Sequence, residues 1–442
     1  MTRSPCSAEE TVLFYHKDFF SQGIFRGGHP LLYSQPNLWL TAPIVLAREE
    51  YSVSVWNERS RILITCARGT PGILAGEIGE LHFPVLSMLE TAVETEGTLA
   101  DTLRMNLSLR TAQRVLYLFD AFPAGQVQDL YRRLVTLPWE KIIAADGFLS
   151  VTSSVDTAAV NDTRFANVKT KDAIVDRIRE KQGRRPDSGP GRRGAVVHLH
   201  WEQERCEVWL DTSGEPLSRR GYRKIPLEAP MQETLAAAVI LATGWDGKGH
   251  LVNPMCGSGT LAIEGALIAL KRAPGILRQN FGFMHILGFD LSAFERQREE
   301  LKKAALRKAA GRIIATDIRP EAIEAAKQNA KTAGVEHLIE FQACDFREST
   351  VPEGEGVVIL NPEYGERMGD TGKLGDIYKG IGDFFKGRCM GYRGYIFTGN
   401  LELAKQVGLR TKRRIPFYNG PIECRLLEYE LYRGSRKDGA GA

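Results

Sequence analysis

The sequence predicts an α/β protein in which a doubly wound parallel sheet follows a smaller α+β region. Beyond about residue 225, short apolar strands alternate with helix-like segments, which is typical of a parallel sheet covered by helices on both faces. Before that point, the strand-like runs 195–201 and 207–211 alternate apolar and polar residues, which predicts strands with one solvated face. In such a fold, ligands bind at the carboxyl ends of the parallel strands.

The predicted elements divide the chain into four parts. In the parallel sheet, strands are predicted at 250–253, 312–317, 339–343, 356–360 and 394–398, and helices at 232–243, 261–270, 320–333 and 377–385. In the α+β region, strands are predicted at 61–66, 148–155, 195–201 and 207–211, and helices at 73–81 and 171–181. The parts are an extension without clear periodicity (1–59), the α+β region (60–212), the α/β domain (213–435) and a tail (436–442).

The composition is that of a globular protein with enough apolar residues for a core. Of the 442 residues, 43% are hydrophobic and 25% are charged. No apolar run approaches the roughly 18 residues of a membrane helix, and residues 1–20 lack the apolar stretch of a signal peptide. Seven scattered cysteines without CxxC spacing argue against a disulfide framework and a zinc site. We therefore expect a cytoplasmic protein with neither a metal nor a membrane partner.

Positive charge is concentrated in one segment, although the net charge of the chain is only +4. Residues 177–193 contain seven basic and two acidic residues, and a second basic cluster occupies 410–414. Such patches are typical of proteins that bind a polyphosphate. They are equally typical of a solvated helix end followed by a flexible loop.

A glycine-containing loop, Asn253-Pro-Met-Cys-Gly-Ser-Gly-Thr260, lies between a predicted strand and a predicted helix. Gly257 and Gly259 have no Cβ to keep a ligand away from the backbone, and the start of the helix offers unpaired amides. The loop is not a Walker loop, because no Gly-Lys-Ser/Thr follows. Taken alone, it is equally typical of a tight structural turn.

The next two strands each end in an aspartate. Asp317 occupies the position at which an acid commonly holds the hydroxyls of a ribose, but it follows Gly259 by far more than the about 20 residues of a simple unit. We therefore interpret residues 271–310 as an insertion. Asp290 is an alternative for the same role, although the helix predicted after Asp317 favours Asp317. Asp345 follows the third strand and can accept a hydrogen bond from an adenine amino group.

The fourth strand ends in Asn361-Pro362-Glu363-Tyr364. The exocyclic amine of a base is a poor nucleophile because its lone pair is delocalised into the ring. The side-chain oxygen of Asn361 and the carbonyl of Pro362 can each accept a hydrogen bond from one N–H group of the amine. Tyr364 can stack on the base. The tetrapeptide alone favours a proline-containing turn, but after the glycine loop and two aspartates it favours a site for a base amine.

Together these motifs resemble a known family. The glycine loop and Asn361-Pro-Glu-Tyr-Gly-Glu-Arg367 are similar to motifs of class I S-adenosylmethionine-dependent methyltransferases that act on base amines. Further matching segments are 106–114, 164–166, 168–176, 217–223 and 417–424. Collectively they resemble the RlmL-type 23S rRNA guanine-N2 methyltransferases, over roughly residues 60–434.

The resemblance implies a Rossmann-like methyltransferase domain preceded by an α+β ferredoxin-like and THUMP RNA-binding region. It also implies S-adenosyl-L-methionine as cofactor, and 23S rRNA or a large-subunit precursor particle as partner. By the same resemblance, the glycines of the loop contact the methionine part, Asp317 the ribose and Asp345 the adenine. The implied cofactor site also includes Asn253, Pro254, Cys256, Ser258, Thr260, Ile318 and Phe346. The implied RNA-binding residues are Arg164, Lys169, Lys171, Arg184 and Arg185.

Two alternatives stay open at this point. Because Asn-Pro-x-Tyr suits either base amine, one is an adenine-N6 methyltransferase acting on DNA or RNA. The other is a non-catalytic RNA-binding or ribosome-assembly factor that retains a cofactor pocket. The family usually has a second proline where this chain has Glu363, and this departure would be a sign of lost chemistry.

Overall fold

The computed structural model describes residues 55–227, 231–363 and 371–432. The strands of the first part are β1 (Arg59–Cys66), β2 (Ser87–Met88), β3 (Ala92–Thr98), β4 (Ala112–Pro123), β5 (Phe148–Asp156), β6 (Asp187–Ser188), β7 (Ala195–Glu202) and β8 (Arg205–Asp211). The helices of this part are α1 (Pro71–Glu80), α2 (Asp101–Ser108), α3 (Val127–Leu134) and α4 (Thr163–Gln182). The predicted extension 1–59 lies almost entirely outside the described residues, as does the tail 436–442.

These strands form one eight-stranded sheet in the order β2-β3-β1-β4-β8-β7-β5-β6. Strand β4 joins its two halves, because it pairs with β1 on one side and with β8 on the other. Strand β7 keeps the predicted alternation, with His198 and His200 only partly buried. The prediction of a solvated face is wrong for β8, where every residue after Arg205 is buried. The side chain of Arg61, on β1, covers one face of β8, because it pairs with Glu207 and lies over the ring of Trp209.

The strands of the second part are β9 (His250–Pro254), β10 (Ile313–Asp317), β11 (Ile339–Ala343), β12 (Gly356–Leu360), β13 (Arg393–Thr398), β14 (Arg413–Asn419) and β15 (Ile422–Glu430). The helices are α5 (Glu233–Ala242), α6 (Thr260–Ala269), α7 (Leu291–Ala304), α8 (Pro320–Ala333), α9 (Thr371–Arg388) and α10 (Leu401–Lys405). The sheet order is β11-β10-β9-β12-β13-β15-β14. The first five of these strands are parallel, which confirms the predicted doubly wound sheet, whereas β15 is antiparallel to both of its neighbours.

Helices cover both faces of this second sheet. Leu251 and Ile313 pack with α5, α6 and α8 on one face, whereas Val252 and Ile314 pack with α9 on the other. Because consecutive residues of a strand point to opposite faces, both faces of these central strands are apolar and the strands read as continuous apolar runs. No helix in the described segments is long and apolar enough to cross a membrane.

The insertion between α6 and β10 packs against the first part of the chain. Its aromatic residues Phe281, Phe283 and Phe294 are buried in the same core as the residues of the first sheet. The guanidinium of Arg278, itself buried, fixes the insertion to the segment that links the two parts. It donates to the carbonyl oxygens of Ser213, Glu215, Pro216, Arg219 and Asn280.

Candidate functional site

The predicted site residues of the second part that the structure describes lie at the carboxyl edge of the parallel strands. Strand β9 is central, with β10 on one side and β12 on the other. In register, Pro254 lies beside Thr316 of β10, and Asp317 lies beside Ala343 of β11. The glycine loop is therefore flanked by the residues that follow β10 and β12, and the residues that follow β11 lie one strand further out.

The glycine loop is closed on one side and open on the other. Gly259 has a φ of +84°, and a Cβ added there would lie 2.8 Å from the Cβ of Ala326 on α8. Gly257 has a φ of +54°, but a Cβ added there would meet nothing within 4 Å. The main-chain amide of Cys256 donates to the carbonyl oxygen of Thr316 in β10 at 2.8 Å. The Cys256 side chain is buried, which raises the pKa of its thiol. The loop is therefore anchored behind Gly259 and leaves room for a ligand beside Gly257.

Asp317 is the carboxylate that contacts this loop. Its side chain is almost completely buried, and Oδ2 accepts from the amide of Gly257 at 2.9 Å while Oδ1 accepts from the amide of Arg319 at 3.0 Å. Each oxygen retains acceptor capacity for a ligand hydroxyl. The next residue, Ile318, follows the strand and exposes 67% of its surface.

The alternative acid, Asp290, lies in the insertion and caps α7. Its Oδ1 accepts from the amide of Ala293 at 3.0 Å, and the hydroxyl of Ser292 donates to the same oxygen at 2.6 Å. The hydrogen bond from Ser292 lowers the pKa of this exposed carboxyl. Helix capping accounts for these contacts of Asp290.

Asp345 follows β11 and is half-buried. It accepts from the amide of Arg347 at 2.9 Å and forms an ion pair with the guanidinium of that residue at 3.0 Å. The side chain of Phe346 is buried and packs edge-on against Phe384 of α9, with 6.0 Å between the ring centroids. Phe346 is therefore a core residue whose side chain already has its partners.

Two buried amide oxygens at this edge lack a hydrogen-bond partner among the described residues: Oδ1 of Asn253 and Oδ1 of Asn361. The amide nitrogen of Asn253 donates to the carbonyl of Ile359 at 2.9 Å, which ties β9 to β12. An unpaired buried acceptor costs about 1–3 kcal/mol, so it favours a ligand that supplies a donor. Pro362 is buried and Glu363 is exposed, whereas Tyr364 lies outside the described residues.

The segment 217–225 lies behind the glycine loop, through contacts that the sequence did not predict. The side chain of Asn329 donates to the carbonyls of Ser258 and Ile225, both at 3.1 Å, and its oxygen accepts from the amides of Ile225 and the preceding residue. Arg223 donates to the hydroxyl of Thr260 at 3.1 Å. The motif 217–223 was the only sequence signal for this arrangement, and Asn329 had none.

The predicted RNA-binding residues lie in the first part of the chain, on α4 and the loop after it. Arg164 is strongly exposed, and Lys169 places its Nζ 5.5 Å from the ring centroid of Phe165. Phe165 and Val168 are also exposed, so this end of α4 presents cations next to apolar side chains. Lys171 pairs with the neighbouring Asp172 at 2.8 Å.

The basic segment 177–193 does not form one continuous charged surface. Arg184 and Arg185 are exposed. Arg177 is largely buried in an ion pair with Glu140 at 2.8 Å, and burial lowers the pKa of Arg192. Only part of the predicted positive charge is therefore accessible to a partner.

Within the described residues, no group of three or more His, Cys, Asp or Glu side chains is arranged to hold a metal ion. The site consists of main-chain amides, carboxylates and amide oxygens. Such groups bind hydroxyl, amino and ammonium groups of an organic ligand.

Three family models match the chain in consecutive segments. The RlmL ferredoxin-like domain matches residues 61–116. The THUMP domain matches residues 124–211. The RMKL-like methyltransferase domain matches residues 220–428, which contain the whole edge described above.

Related proteins cover most of the chain. A putative RNA methyltransferase of Synechocystis, slr0064, is 35% identical over 83% of this chain and 96% of its own length. The ribosomal RNA large subunit methyltransferase K/L of Syntrophotalea carbinolica is 36% identical over 84% of this chain, but only 53% of that protein is covered. The chain thus spans about half the length of the K/L relatives that it matches.

A solved structure supports the same relationship. SMU.472, a putative methyltransferase solved in complex with SAH, is 26% identical, with a TM-score of 0.77 over 86% of this chain and 100% of that chain. The fold class and the family resemblance predicted from the motifs are confirmed by these matches. The chain belongs to the RlmK/L-like methyltransferase family, with an RlmL-type ferredoxin-like domain and a THUMP domain before the methyltransferase domain.

Proposed function

We propose that the chain transfers a methyl group from S-adenosylmethionine to the N2 amine of a guanine in 23S rRNA. The observation that carries this proposal is the convergence of the open glycine loop, Asp317 and the unpaired oxygen of Asn361 at one strand edge. The names of the K/L relatives support ribosomal RNA as the substrate. We further propose that it acts in the cytoplasm, on naked 23S rRNA or on a large-subunit precursor particle.

The residues at the edge fit S-adenosylmethionine, which supplies an electrophilic methyl group when bound. The open side of Gly257 admits the methionine part close to the main chain, and Asp317 has acceptor capacity for the ribose hydroxyls. The exposed side chain of Ile318 offers an apolar surface to the adenine, and Asp345 accepts from its amino group. SMU.472 was solved with SAH, the product of such a transfer, which supports this assignment.

On the substrate side, the chain activates the amine by accepting hydrogen bonds from its two N–H groups. Oδ1 of Asn361 accepts one of these hydrogen bonds and the carbonyl of Pro362 accepts the other. The nitrogen lone pair is thereby localised on the nitrogen instead of being shared with the ring. A strong general base is not required, because the nitrogen becomes acidic once it is alkylated and then releases its proton to water. Tyr364, outside the described residues, remains a prediction for stacking on the base.

The first part of the chain supplies the RNA contacts in this proposal. Arg164 and Lys169 meet phosphates, while the exposed ring of Phe165 between them offers a surface to an unpaired base. Lys171, Arg184 and Arg185 extend the same contact along α4 and its loop.

The proposal is tested by incubating the chain with labelled S-adenosylmethionine and 23S rRNA that lacks its own base methylations. Nucleosides are then resolved by mass spectrometry. We expect label in N2-methylguanosine. Label in N6-methyladenosine would favour the adenine-N6 alternative, and a DNA competitor separates RNA from DNA substrates. Cofactor binding without transfer to naked RNA or ribosomal particles would favour the non-catalytic RNA-binding factor.

Asp317→Ala is expected to weaken cofactor binding about 10- to 100-fold, because it removes charge-assisted hydrogen bonds worth about 1.5–3 kcal/mol. The variant also leaves the amide of Gly257 without its acceptor, which loosens the loop. Titration calorimetry with S-adenosylmethionine measures the loss. Asp290→Ala is the matched control, since it removes an exposed cap and leaves the affinity unchanged. An unchanged affinity in Asp317→Ala would remove this residue from the cofactor site.

A further inference from the structure

The turn between β14 and β15 belongs to the motif 417–424, which the proposed function does not use. Strand β15 is antiparallel to β13 and β14 is antiparallel to β15, so β14 runs parallel to β12 and β13. Its carboxyl end, at Tyr418, therefore lies at the same edge of the sheet as Asn361. Three strand spacings, about 14 Å, separate β14 from β12.

At this turn the two parts of the chain meet in a stacked pair of side chains. The guanidinium of Arg68, in the loop between β1 and α1, lies 4.5 Å from the ring centroid of Tyr418. Arg68 also pairs with Glu90 while about half of its side chain is exposed. The neighbouring Gly69 has a φ of +85°, and a Cβ added there would lie 2.6 Å from the carbonyl oxygen of Pro416. This close approach of two backbones fixes Arg68 over Tyr418.

The surface around the stacked pair combines cations with apolar groups. Arg414, Pro416 and Tyr418 alternate along β14 and therefore share one face of the strand. Arg414 is exposed and forms no ion pair with the described residues, and Ile422 beyond the turn exposes 44% of its surface. The nearby Glu423 is paired with Arg425. A guanidinium over an aromatic ring, beside an exposed arginine, is typical of surfaces that bind single-stranded nucleic acid.

We propose that the Arg68–Tyr418 stack is a platform for an unpaired base of the substrate RNA, a few nucleotides from the methylated guanine. This inference rests on the proposed function. The platform and the catalytic edge lie on the same side of the sheet, so one strand of RNA reaches both. Since Arg68 belongs to the ferredoxin-like domain, that domain contributes directly to substrate binding through this pair.

The test uses the full chain and an unmodified 23S rRNA fragment, with affinity measured by fluorescence anisotropy. Tyr418→Ala is expected to weaken RNA binding about 10-fold, as does the loss of one base–aromatic stack. Tyr418→Phe keeps the ring and therefore keeps the affinity. Arg68→Ala weakens binding, whereas Arg59→Ala, which removes another exposed arginine paired with a glutamate, has a much smaller effect. Cofactor affinity stays unchanged in Tyr418→Ala, and thermal stability falls only slightly, because a single cation–π contact is lost.

Two outcomes of the binding measurements would overturn the platform. One is an unchanged RNA affinity in Tyr418→Ala with a lower melting temperature, which would make the pair a domain contact only. The other is an equal loss in Arg59→Ala and Arg68→Ala, which would make the effect one of general charge. If the wild-type chain methylates rRNA and Tyr418→Ala is equally active, the platform is overturned but the proposed function is not. A wild-type chain that neither binds nor methylates rRNA overturns the proposed function together with the platform.

Discussion

Asn361→Ala is expected to abolish methyl transfer, with a loss of at least about 100- to 1000-fold in the single-turnover rate, as for the removal of one preorganised polar group from other active sites. The substitution removes the acceptor that holds one N–H bond of the amine. Cofactor affinity changes little, because the proposed cofactor contacts lie on the glycine loop and the ends of β10 and β11. Stability does not fall, since Oδ1 of Asn361 is a buried acceptor without a partner among the described residues.

Asn400→Ala provides a matched control one strand away. Asn400 follows β13, as Asn361 follows β12, but its oxygen accepts from the amide of Leu403 at 2.9 Å and caps α10. Its removal is expected to cost about 1 kcal/mol of stability and to leave transfer unchanged. Transfer that survives in Asn361→Ala would exclude this residue from the reaction. A loss of cofactor affinity equal to the loss of transfer would assign it to the cofactor site instead.

The presence of a parallel sheet and the positions where its strands end were predictable from the sequence, whereas the order of the strands in the sheet was not predicted. Strands β9, β10 and β12 are buried on both faces, so they read as short apolar runs bounded by polar residues. The residues at their ends, such as Asp317 and Asn361, then fall at one edge because parallel strands share a direction. This local pattern was sufficient to identify the candidate site.

The elements that the sequence did not predict lack such a local signal. Helix α7 buries only Phe294, and Leu301 seven residues later is only partly buried, so its apolar face is narrow among charged residues. Strand β14 carries two arginines and Pro416, which resemble a loop until β15 pairs with them. Asn329, which fixes the glycine loop to segment 217–225, depends on contacts between distant parts of the chain. A single sequence contains no record of such contacts.

Arg220→Ala is expected to reduce the free energy of unfolding by about 3–5 kcal/mol, because it leaves a buried carboxylate unpaired. Arg220 and Glu264 are almost completely inaccessible, and Nε of the arginine lies 3.6 Å from Oε1 of the glutamate. The hydroxyl of Tyr222 donates to the same oxygen at 3.1 Å. Arg220 also donates to the carbonyl of Arg110 and so joins the ferredoxin-like domain to α6. Chemical denaturation with two spectroscopic probes measures the loss.

The neighbouring residue and a double variant separate charge pairing from packing. Arg219→Ala removes an exposed arginine that pairs with Glu215, so it is expected to cost less than about 1 kcal/mol. The double variant Arg220→Met with Glu264→Leu removes both buried charges at similar volume, so it is expected to be more stable than Arg220→Ala. If the double variant were instead as unstable as Arg220→Ala, the lost hydrogen bond to Arg110 would dominate. Glu264 lies on α6, and the glycine loop ends at the first residue of this helix. If Arg220→Ala lost cofactor affinity and the double variant did not, the buried ion pair would also hold the loop in place.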